Sequence, residues 1–279
     1  MNIITPSIAE QAREHNRMFN ATFSAAKKIR SQHVRVRPHR ALTPLKLTPY
    51  LLAQAIVLPI VMCGLLLWGK PLLLDFWRAC ISFWSNALDL MLSTSTRLNE
   101  AGQYTVRLTA GANDVALPSS TNLLITSLVT LVAFLFSLRM NNAKLPLKYP
   151  IRIICFVQAL ALLYFWLTPA TFPYSISQHS EELLTVGFVL MMATPVMLAV
   201  GYYILNQRLT LKIFHTLLIL AFFALLIPHQ VLMQALIMQH LSVLFMPVLY
   251  LCFGAVFDAL VFIALYSWIV SDAPPDATV

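Results

Sequence analysis

The sequence predicts an all-α integral membrane protein, a six-transmembrane helix bundle with an outward interfacial amphipathic helix and a small outward β-hairpin. Composition is the first ground for it. Of 279 residues 59% are hydrophobic and 11% charged, and the mean hydropathy is +0.74, more apolar than a soluble domain can cover with polar surface. Patterning is the second. Near-continuous apolar runs fall at 50–68, 121–138, 152–170, 183–205, 211–228 and 246–269. Each approaches the roughly 20 residues that cross a hydrocarbon core of about 30 Å. Pro150, Pro169 and Pro228 trim the third and fifth runs, which leaves those two open to tilting or incomplete crossing.

Charge distribution is the third ground, and it sets orientation. Nine basic residues precede the first run, four more (Arg139, Lys144, Lys148, Arg152) follow the second, and Arg208 and Lys212 follow the fourth. That places fifteen of the nineteen Lys and Arg on one side, which the positive-inside bias assigns to the cytoplasm. Both termini are then inside. Residues 1–47 form a basic cytoplasmic segment, 48–270 the membrane domain with an outward insertion at 70–120, and 271–279 a cytoplasmic tail. The expected location is a bacterial inner membrane, although the Arg-rich, acid-poor leader also suits an organelle transit peptide. The net charge of +8 is accounted for by topology, so no nucleic acid is expected as partner. The first apolar run begins only near Tyr50, so no cleavable secretory signal is expected.

In the leader, Ile8, Ala12, Phe19, Phe23 and Ala26 recur at helical spacing. The following Arg30, Arg35, Arg37 and Arg40 suit an anionic inner-leaflet surface, or a cytoplasmic partner. After the first span, Asp75, Arg78, Ser82, Ser85, Asn86 and Asp89 lie on one stripe, opposite Leu73, Trp77, Cys80, Trp84, Leu88 and Met91. Such a helix is too polar to span and is expected to lie in the outer interface, with Trp77 and Trp84 as headgroup-level anchors. In "QYTVRLT" apolar and polar residues alternate between Gly102 and the turn-rich "GAND", which predicts the β-hairpin, preceded by "STSTRL". The outer connection from Pro228 to His240 reads as an interfacial turn of helix.

Asp258 stands near the middle of the last apolar run. A charge at bilayer depth costs roughly 3 kcal/mol on insertion scales, so it needs a partner, a proton or a purpose. Gly254 and Ala255, one turn earlier, would let another helix approach beside it. Gln158 and Thr194 are among its candidate hydrogen-bond partners, and no Lys or Arg is read at comparable depth. A neutral Asp258 tying helices together is the first reading. Pairing with a cation of another subunit, and a proton or ion pathway, are the others. His179, Glu181, Glu182, His229 and His240 come from the two outer connections around the fourth and fifth spans. They are chemically adequate metal ligands, but their spacing is that of no metal motif. No metal and no cofactor is expected. Cys63, Cys80, Cys155 and Cys252 show no metal or redox spacing, and GxSxG, HExxH, P-loop and GxGxxG signatures are absent from the sequence.

The order of parts over Leu65 to Arg139 is a span, an outward amphipathic helix, a short β-like stretch ending in "GANDVALPSS", then a compact set of spans. It resembles exosortases and the membrane proteins that accompany them. An exosortase would carry a Cys-Ser-Gly nucleophile after the β-like stretch, whereas the cysteines here stand in "MCG", "ACI", "ICF" and "LCF". The resemblance therefore implies an accessory role without cysteine chemistry. The leading expectation is a non-enzymatic subunit or assembly factor of an envelope complex for export, secretion or surface sorting, with the bilayer and other membrane proteins as partners. The alternatives are a proton-coupled transporter or channel component using Asp258, and a divergent exosortase-like enzyme using Cys80 or Cys252 with His179 or His240.

Overall fold

The computed structural model describes residues 48–88, 92–98, 104–110, 114–141, 144–204 and 208–271, together with Arg17, Asn20 and Ser24. The chain divides into two units, Met1–Lys46 and Leu47–Val279, and all the elements named here belong to the second. Arg30, Arg35, Arg37 and Arg40, and residues 272–279 of the tail, lie outside the described residues.

Helices dominate. In order they are α1 (Pro49–Trp68), α2 (Lys70–Ala87), α3 (Ser120–Arg139), α4 (Leu145–Leu167), α5 (Ile176–Ile204), α6 (Leu209–His240), α7 (Met246–Tyr250) and α8 (Val256–Ser271). Strands β1 (Leu92–Leu98) and β2 (Tyr104–Ala110) lie between α2 and α3, and a π-helical turn, Leu251–Ala255, joins α7 to α8. Among the described residues six stretches are long and apolar enough to cross a membrane: Pro49–Trp68, Ser120–Arg139, Leu145–Leu167, Ile176–Tyr202, Leu209–His240 and Val243–Ile269. Local chemistry starts two of them. Thr48 caps α1 by accepting from Leu51 N at 3.4 Å, with Pro49 at the first helical position. Ser119 caps α3 in the same way through Asn122 N at 3.2 Å.

Three boundaries differ from the apolar runs. α4 begins at Leu145 with Pro150 inside it, α5 begins at Ile176, and α6 continues through Pro228 to His240. Proline stops a helix because it lacks an N–H and orphans the carbonyl four residues back. At Pro228 that carbonyl belongs to Ala224, and the Trp77 indole Nε1 donates to it at 2.9 Å. A donor from another helix replaces the missing one, so α6 persists. Trp77, expected from the sequence as an interfacial anchor, is wholly buried, with its indole against α6. Trp84 stays at the rim, partly exposed, and donates from Nε1 to His229 Nε2 at 3.1 Å.

α5 and α6 pack on each other and form the centre, with α1 against α5 and α2 against α6. α3 and α4 pair, and α4 also meets α7. Gly187 permits the central contact, because a Cβ there would stand 2.7 Å from Ile227 Cγ2. α1 and α3 keep most of their apolar side chains exposed, among them Ile56, Ile60, Leu128, Val132 and Phe136.

β1 and β2 pair antiparallel, from Leu92 opposite Ala110 to Leu98 opposite Tyr104. Leu92 and Val106 enter the core, and the pair packs on α2 and α5. The polar stripe of α2 meets β1: Ser82 Oγ lies 2.8 Å from Thr94 Oγ1, and Ser85 Oγ donates to Leu92 O at 3.0 Å. Just beyond β2, Asp114 begins α5. Its Oδ1 accepts from Ser177 N at 2.9 Å and from Ser177 Oγ at 2.6 Å, while Ile176 N donates to its carbonyl at 2.9 Å. A carboxylate at a helix N-terminus satisfies orphan donors and suits the dipole. Val243 N donates to Ala116 O at 3.0 Å, and Asn122 Nδ2 to Leu241 O at 3.1 Å. The sheet, the start of α5 and the end of α6 are thereby stitched into one end of the bundle.

Candidate functional site

The last span is broken where its acid lies. Gly254 has φ −104° and ψ −121°, outside the helical region, within the π turn Leu251–Ala255. The Phe253 carbonyl receives side-chain donors from α6 instead. Gln230 and Gln234 stand four apart on that helix, hence on one face, and each donates from Nε2 to Phe253 O, Gln234 at 2.9 Å. The arrangement at Pro228 recurs here, a backbone group freed by a break and satisfied from a neighbouring helix.

With its Nε2 turned to Phe253, Gln234 presents Oε1 to His179, whose Nε2 lies 2.8 Å away. An amide oxygen only accepts. His179 therefore carries a hydrogen on Nε2. Its ring meets Tyr250 edge-on at 5.7 Å between centroids, and the side chain is 3% exposed. Tyr250 also lines an open cavity of about 400 Å³ with Gln178, Glu181, Glu182, Thr185 and Val186.

Asp258 sits in the first turn of α8 and is 4% exposed. The Gln230 amide reaches its carboxyl, while Oδ1 is buried with no hydrogen-bond partner among the described residues. The candidate partners read from the sequence bond elsewhere. Gln158 Nε2 donates to Leu244 O at 3.4 Å and Thr194 Oγ1 to Leu190 O at 2.9 Å. The close approach allowed by Gly254 is used by α5, since a Cβ there would stand 3.3 Å from Leu183 Cδ2. Ala255 closes the π turn.

The outer set separates. His179 is buried on Gln234, Glu181 and Glu182 line the cavity, His229 is held by Trp84, and His240 is exposed at the end of α6. Among the described residues no three His, Cys, Asp or Glu side chains converge as metal ligands. The cysteines are free thiols. Cys63 Sγ donates to Met192 O at 3.4 Å, and burial pushes the Cys80 thiol up, away from the thiolate a nucleophile needs.

Two features escaped sequence reading. Lys212, counted only among the inner-side charges, lies in the first turn of α6, 1% exposed, donating from Nζ to Gln54 Oε1 at 3.0 Å. Its carbonyl accepts from Thr216 Oγ1 at 2.8 Å, and Thr216 in turn lies 3.2 Å from the Tyr202 hydroxyl. The Lys212/Thr216 spacing of four is the only trace of this in the sequence. The glutamine pair carries the same spacing, but nothing local links it to Phe253 or His179. Compared with protein-family models, with curated proteins and with solved structures, the chain matches none.

Proposed function

We propose that the chain is a non-enzymatic subunit or assembly factor of a multi-protein complex in a bacterial inner membrane, acting in export, secretion or surface sorting. The observation that carries this reading is the layer of α2, β1 and β2 stitched to one end of α5 and α6. It is a folded layer inserted in the chain between the first and second spans, built on core side chains and backbone hydrogen bonds. Its cysteine, Cys80, has its thiol pushed up by burial. The positive-inside bias turns this platform outward and both termini inward, so the amphipathic α2 and the β pair face the compartment through which exported chains pass. The order of parts shared with exosortase-associated membrane proteins supports the same role.

Purification of the tagged chain from native membranes in mild detergent, with identification of everything present at near-equal amounts, tests the proposal. Envelope partners at fixed stoichiometry are expected. A chain that is alone, monomeric and fully functional ends it.

A second reading is favoured by one observation, the unpartnered Asp258 Oδ1 beside a broken span. Broken helices with buried acids mark ion pathways in transporters. Proton-coupled transport through this chain predicts that Asp258→Asn abolishes flux in proteoliposomes, and unchanged flux removes the reading.

A further inference from the structure

The interior around Phe253 holds more acceptors than a packed apolar span needs, and most are already engaged. Phe253 O takes two amide donors, and Gln234 Oε1 faces His179 Nε2. What remains is the Asp258 carboxyl, with Oδ1 unpartnered, and the oxygen end of Gln230. A buried polar atom without a partner calls for an explanation, and an ion or water is a usual one. A metal cation in such a place needs several oxygen ligands. Two are too few, whereas a proton needs one.

We propose that Asp258 is a proton-binding site, loaded from the cavity lined by Glu181 and Glu182, with His179 as the ionisable group between cavity and site. This deepens the proton-coupled reading and rests on it. Uptake forms an O–H bond on the carboxylate and removes its charge; release returns the proton to water and restores the charge. Glutamine amides do not give up protons in this pH range, so Gln230 and Gln234 position the groups while water admitted from the cavity carries the proton. The other ionisable groups on the packed elements include Lys212 on Gln54, His215, His229 held by Trp84 and the exposed His240 on α6, Tyr202 on α5, and Tyr250, Cys252 and Tyr266 on the same span as Asp258.

Infrared difference spectroscopy of the full chain in lipid vesicles, titrated with pH, reads the site directly. A carboxylic-acid carbonyl band is expected that shifts in D2O, disappears as pH rises, is lost in Asp258→Asn and is displaced in Asp258→Glu. The Glu variant keeps the test decisive if the Asn variant does not fold. A band absent from the parent chain, surviving in Asp258→Asn or insensitive to pH overturns the proposal. Glu181→Gln with Glu182→Gln is expected to slow deuterium exchange of the band while leaving its amplitude, as is His179→Gln, and unchanged exchange overturns the route. A titrating band without proton flux upholds the site and removes the transport reading.

Discussion

Trp77 and Gln234 do the same physical work. Each supplies an N–H to a carbonyl that a break in a helix leaves without a partner, Trp77 to Ala224 below Pro228 and Gln234 to Phe253 beside Gly254. Leaving a buried acceptor unpaired costs about 1–3 kcal/mol, so Trp77→Phe is expected to destabilise the folded chain by that order in detergent unfolding. Pro228→Ala restores a backbone donor to Ala224. In that background Trp77→Phe is expected to cost clearly less, and additive effects in the double-mutant cycle disprove the pairing. Gln234→Leu removes one of the two side-chain donors to the Phe253 carbonyl and also strands the buried His179 Nε2–H, so it is expected to destabilise more than Gln230→Leu, by the same unfolding measurement. These pairings were not legible in the sequence. Trp77 and Ala224 are 147 residues apart, and an amphipathic wheel records which face is apolar without recording what covers it.

At the scale of elements, six helices are legible in the sequence through length and apolarity alone, and among the described residues six helices of that kind are present. Their ends were harder to read. Pro150 and Pro228 read as limits because proline terminates helices in water, where no neighbour stands by to satisfy the freed carbonyl. Lys212, at the start of the 211–228 run, reads only as one of the inner-side charges for a related reason, since a cation is expected at the membrane surface unless a buried acceptor such as Gln54 awaits it. The start of α5 depends on Asp114, 63 residues earlier than Ser177. Asp114→Ala is expected to cost about 0.5–2 kcal/mol and to raise amide exchange in the first turn of α5, around Ser177 to Ser180, with little change in α3. Equal change throughout the bundle would assign Asp114 some other role. Gly187→Ala forces a methyl group against Ile227. An overpacking penalty of about 1–3 kcal/mol follows, readable as a lower midpoint of thermal unfolding.

For the molecule as a whole, orientation is the property on which the functional proposal depends. Labels at residues 99–103 are expected to be reached from outside the cell, and tags on both termini only after the membrane is opened. The reverse pattern would put the platform on the cytoplasmic side and remove its export role. α6 is 32 residues long, about 48 Å at 1.5 Å per residue, well beyond a core of about 30 Å. Its middle, from Ala224 to His229, serves as the post on which α2 rests. That post is made late. A ribosome adding about 5–20 residues per second takes roughly 7–30 s to travel from Trp77 to Ala224, and during that interval the indole has no acceptor from α6. An amphipathic helix with two tryptophans can spend that time lying at the lipid headgroups, as its sequence suggests, and then exchange lipid for Ala224 when α6 arrives. The apolar face read from the sequence is thus the face that later receives α6, and the indole reaches its acceptor only once that helix exists.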